Sequence, residues 1–137
     1  MTVFLAGLCS ALAAAVIGYF TSGLTFRRYR LRTPATWRHK RTRNYVLEFA
    51  ADLVFGMMFA AFFWLTGGIG WLNVGQWPKM GFLFGIGCWG AVALPMVLSM
   101  SILVNLHRGV VAGFLLEWLG SSIAAGLICA FLIERTA

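Results

Sequence analysis

The chain carries only four acidic residues, and two of them stand where carboxylates are expensive. Asp52 lies in "FAADLVFG" and Glu117 in "FLLEWLG", each inside a long apolar run. A bare carboxylate in hydrocarbon costs several kcal/mol, so such an acid is expected to be protonated, paired or exposed to water. Glu48 stands four residues before Asp52 on the same helical face, shallower and near the positive end of the helix dipole. Asp52 follows Arg43 by nine residues and Glu117 follows Arg108 by nine. At 1.5 Å per residue both acids then lie roughly 13 Å beyond their arginines, which makes a pair possible.

Three kinds of chemistry follow from that placement. The carboxyls could bind a proton or cation and couple it to movement of a kinked helix. A neutral Glu117 could donate a hydrogen bond to Ser99 or to a carbonyl freed by Pro95. The acid could also pair with a polar group on another chain. The small residues Gly113, Gly120 and Ser121 share the Glu117 side of its helix, so Glu117 is expected to face protein and to be buried and hydrogen-bonded.

Other site chemistry is absent from the pattern. No nucleophile, metal-ligand cluster or phosphate loop is visible, so no catalytic, cofactor or metal residue is expected and the chain does not read as an enzyme. Cys9, Cys88 and Cys129 show no CxxC or Cys/His spacing and read as small packing residues. His107, in "NLHRG", reads as a solvated turn residue, and no second histidine within an apolar run supports a heme.

The elements that must position these acids come from composition. Hydrophobic residues make up 61% of the 137 and charged residues 11%, which excludes an ordinary soluble core and points to lipid as solvent. Four stretches approach the ~20 apolar residues that a membrane crossing needs: Thr2–Phe26, Tyr45–Leu65, Met80–Leu106 and Gly109–Ile133. The first lacks a basic region before it and is long for a signal-peptide core, so it reads as a retained helix. The expected fold is an all-α, integral membrane four-helix bundle in a single domain, with a basic loop over 27–44 and a second loop over 66–79.

Eight of the eleven lysines and arginines fall in "RRYRLRTPATWRHKRTR": Arg27, Arg28, Arg30, Arg32, Arg38, Lys40, Arg41 and Arg43. Short loops this basic stay cytoplasmic, which predicts both termini outside and makes these residues candidate contacts for anionic headgroups. The formal net charge of +7 is mostly this one loop, so topology explains it and a nucleic-acid partner is not expected. Within the loop, Thr33 and Pro34 predict a short surface helix over 35–43, with Tyr29 and Trp37 at headgroup level.

Helix packing is predicted from two GxxxG pairs, Gly81 with Gly85 and Gly109 with Gly113, and from Pro95, a kink near the middle of the third run. The stretches "VIGYFTSGLTFRRYRL", "GFLFGIGCWGAVALPMVLSMSILV" and "RGVVAGFLLEWLGSSIAAGLICAFLI" resemble an uncharacterised family of small bacterial four-helix membrane proteins, a domain of unknown function. Its first helix ends more typically in Trp-Tyr-Ser-Pro, where this chain has Tyr19, Phe20, Thr21 and Ser22. The resemblance implies a bacterial inner-membrane protein and supplies no activity. The expectation is a non-enzymatic membrane subunit packing against other helices within a larger assembly or homo-oligomer. The alternative is a small proton- or cation-coupled carrier, or a lipid-handling protein, using the intramembrane carboxylates.

Overall fold

The computed structural model describes residues 1–32, 42–68 and 76–134, with Glu134 described by its backbone alone. Among them every regular element is helical, and four helices are long and apolar enough to cross a membrane. These spans run Thr2–Thr25, Thr42–Thr66, Trp77–Leu103 and Arg108–Ile133. The predicted surface helix, with Thr33, Pro34, Trp37, Arg38, Lys40 and Arg41, falls outside the described residues. A single helical turn, Arg27–Arg30, follows the first span.

Boundaries differ from expectation where polar residues join an apolar helix. The second span begins at Thr42 instead of after Asn44, so Asn44 lies within the helix. It ends in a glycine cap, with Gly67 N–H donating to the Trp64 carbonyl at 3.2 Å and Gly68 N–H to the Phe63 carbonyl at 2.8 Å. Both glycines hold positive φ, 61° and 63°, a conformation that a side chain would disfavour. The third span starts at Trp77 with Pro78 in its first turn, where a missing N–H costs nothing. It stops at Leu103, because Val104 is extended at φ −118°, ψ 130°.

Three segments are wound as π-helix: Tyr19–Thr25, Trp89–Ala93 and Ala130–Glu134. The middle one explains Pro95. Proline has no N–H, and here it sits at the start of the α-helix Leu94–Leu103, directly after the wider turn. Pro95 is exposed.

The first span packs on the second and the fourth, and the fourth packs on the third. Close crossings are made by small residues. A Cβ on Gly81 would lie 2.6 Å from the Gly126 carbonyl oxygen and 2.9 Å from Leu127 Cα, and one on Gly85 would lie 2.7 Å from Ile123 Cα. Gly56 meets Gly7 and Ala11 in the same backbone-to-backbone manner. Around these crossings sits the apolar core: Ala6, Phe59, Ala60, Phe63, Met80, Phe84, Ala125, Cys129 and Ala130. Phe84 of the third span receives Phe59, Phe62 and Phe63 of the second at centroid distances of 5.4, 5.6 and 4.9 Å. This core occupies the end of the bundle away from the arginines.

Candidate functional site

Glu117 is positioned by the fourth span and met by the first. Ser22 donates its hydroxyl to Glu117 Oε2, and Thr21 Oγ1 lies 3.2 Å from the same oxygen. Both hydroxyls belong to the π-helical segment Tyr19–Thr25. A π-turn spreads five residues over one turn, which lets consecutive side chains reach one neighbour. Thr21 Oγ1 also lies 2.7 Å from the Ile17 carbonyl oxygen and 3.5 Å from that of Gly18. Gly18 leaves the room: a Cβ there would stand 3.1 Å from Glu117 Oε1.

The acid therefore faces protein and is hydrogen-bonded, half-buried between two spans. Its partners are not those expected. Ser99 is exposed on the third span, and among the described residues Glu117 meets Thr21 and Ser22 and not Ser99 or a carbonyl near Pro95. Thr21 and Ser22 are the holding residues. A hydroxyl pair in the last turns of an apolar helix was the available signal.

Asp52 and Glu48 do stand near Glu117. Both carboxyls, and the Arg30 guanidinium, are close enough for their charges to act on it, and Glu48 acts in turn on Asp52. Asp52 is half-buried and Glu48 exposed. One turn farther from the arginines, Phe55 meets Trp118 edge-on at 5.3 Å and joins the second span to the fourth. Arg30 bends over the Phe114 ring, 5.7 Å from its centroid. The three acids and Arg30 thus lie in the basic half of the bundle. Trp89 finds a polar partner, its indole N–H donating to the Leu115 carbonyl at 3.0 Å.

The second GxxxG serves rings instead of helices. A Cβ on Gly109 would fall 2.6 Å from Tyr29 Cγ, and one on Gly113 would fall 2.7 Å from Phe26 Cγ. The glycines make the slot into which the end of the first span folds its aromatic residues. His107 is also more than a solvated turn residue: its Nδ1 accepts the Gly109 N–H at 3.0 Å, capping the fourth span, and its ring stacks on Tyr29 at 5.1 Å.

Arg27, Arg28, Arg32 and Arg43 are exposed at this end. Cys9 and Cys88 are half-buried and Cys129 is buried beside Ser10, 3.8 Å between Sγ and Oγ; all three are free. Among the described residues, no group of three or more His, Cys, Asp and Glu is arranged to hold a metal ion. No family model matches the chain, nor does any curated protein or solved structure, so a functional reading rests on this geometry and on the sequence.

Proposed function

We propose that the chain is a non-enzymatic, multi-pass membrane subunit that joins a larger membrane assembly through the basic half of its second span. The observation that carries this reading is the exposure of residues 45–51, seven in a row that go nearly twice around the helix. A helix packed in its own bundle hides one face. In this stretch no residue is buried, and it bears Glu48, with Asp52 one turn on. An acid at such a depth is stabilised by polar company and not by acyl chains, so another membrane helix is the natural cover.

Photo-crosslinking from position 47, after purification in mild detergent, tests the proposal. A protein crosslink, to a second copy or to another chain, with a native mass above the 15.1 kDa of one chain supports it. Crosslinks to lipid alone on a monomer would refute it. The charge pattern supports an orientation with the basic loop cytoplasmic and both termini outside. Cytoplasmic activity of a reporter fused after Ala137 would overturn that orientation.

A second reading, a proton- or cation-coupled carrier, is favoured by the Glu117 contacts. The Thr21 hydroxyl has one hydrogen, and the Ile17 carbonyl at 2.7 Å is its nearer acceptor. Toward Glu117 the Thr21 oxygen then offers a lone pair, which suits a carboxyl that carries its own hydrogen on Oε2. Labelling with a carbodiimide, which attacks protonated carboxyls in apolar surroundings, should modify Glu117 and leave Glu117→Gln unlabelled. In proteoliposomes, a Glu117→Gln chain that folds and still moves protons would refute this reading.

A further inference from the structure

Independently of the subunit reading, we propose that Arg28 and Arg32, set against the stacked rings of Tyr29 and His107, bind the phosphate of one anionic glycerophospholipid, with Arg108 at the same helix end adding charge. The Arg28 guanidinium lies 4.9 Å from the Tyr29 ring centroid and donates to the Tyr29 hydroxyl at 3.0 Å. Arg32 lies 5.7 Å from the same centroid, and its Nη1 is 3.5 Å from His107 Nε2. Arg108, the residue after His107, opens the fourth span and is exposed.

Two guanidiniums on one ring repel each other, and among the described residues no carboxylate pairs with Arg28, Arg32 or Arg108. Cation–π contact offsets part of that repulsion. A phosphate would offset the rest, because the planar guanidinium forks onto two of its oxygens. The rings are also fixed in place: Tyr29 fills the slot over Gly109, and His107 is held by the Gly109 N–H. The platform is therefore built before any anion arrives. It stands where two membrane-length helices end, which is the depth of a lipid headgroup, so the phosphate is assigned to a lipid and not to a free ion.

Native mass spectrometry of the detergent-purified chain, titrated with phosphatidylglycerol or phosphatidylcholine, tests this. One phosphatidylglycerol should bind the wild type in preference to phosphatidylcholine. The double change Arg28→Gln/Arg32→Gln should weaken that binding about thirtyfold, at about fivefold per arginine. Arg27→Gln/Arg43→Gln removes the same charge outside the cluster and should weaken it about threefold or less. Equal losses in the two double variants would overturn the site in favour of diffuse charge. Displacement of the lipid by millimolar inorganic phosphate would overturn the lipid assignment. If the glutamine pair fails to fold, Arg28→Lys/Arg32→Lys keeps the charge but loses the forks, and should weaken binding about fivefold. Unchanged affinity there would also refute the proposal.

Discussion

The two ends of this bundle are held by different means. Away from the arginines, backbone meets backbone at Gly81, Gly85 and Gly126, and at Gly7 and Gly56, while phenylalanines fill what remains. Toward the arginines other contacts take over. There the contacts are a hydroxyl pair on an acid, rings laid into glycine slots, and a histidine cap. In lipid, apolar side chains gain little by leaving the solvent, so close van der Waals approach has to supply the far end's cohesion. The basic end has polar groups to satisfy and is shaped by that demand. The first arrangement packs backbone on backbone, and the second leaves the exposed stretch at 45–51 and a rim of charge that a partner or headgroup can use.

The contrast breaks most sharply at the glycines. Gly85→Leu must push a side chain into the Ser122–Ile123 backbone, which cannot yield as a side chain can, so a loss of about 3 kcal/mol or more is expected. Gly87→Leu and Gly90→Leu meet open space and should leave the melting temperature in detergent nearly unchanged. If all three variants melt alike, the far end is not held by close approach.

Next in size is the acid. Glu117→Leu strips Ser22, which is 6% exposed, of its partner and should cost about 1–3 kcal/mol. Glu117→Gln keeps the shape and a hydrogen-bond donor, and should cost about 1 kcal/mol or less. Equal losses on thermal unfolding would mean that the contact is packing and not a hydrogen bond.

Much of the far end was legible in the sequence. Four apolar runs of membrane length predict four spans, and Gly81-x-x-x-Gly85 predicts a close helix crossing, because both features depend on local composition. Gly126 and Gly56 were not legible as contacts: each acts through a residue distant in the chain, Gly81 and Gly7, and no local word marks that pairing. The basic end was harder to read. That Glu117 faces protein followed from its small-residue neighbours, but its partners did not, since a π-turn re-aims Thr21 and Ser22 and no periodicity announces one. Gly109 and Gly113 have the spacing of a helix crossing yet receive rings, because the first span ends in Phe26 and Tyr29 just where the fourth begins. The same word thus has two physical meanings, set by what the neighbouring helix offers.

That double meaning can be tested at Gly113. Gly113→Ala places a methyl against Phe26, and a ring can rotate where a backbone cannot, so the cost should be about 1–2 kcal/mol, below that at Gly85. Adding Phe26→Leu should recover much of it by vacating the slot. A double variant no more stable than Gly113→Ala alone would place the obstruction in the backbone and make both ends of the bundle alike.

The smallest effect expected is at His107. Its Nδ1 satisfies the Gly109 N–H, one of the amides that the first turn of the fourth span leaves without a carbonyl. Asparagine offers a side-chain oxygen at a similar reach and is a good cap, whereas alanine offers none, so His107→Ala should cost about 1 kcal/mol and His107→Asn less. The stack on Tyr29 is lost in both variants, so their difference isolates the cap from the ring contact. If the asparagine variant falls as far as the alanine one, the histidine acts by stacking. The first span's aromatic end, and not the histidine cap, would then be what holds the basic half together.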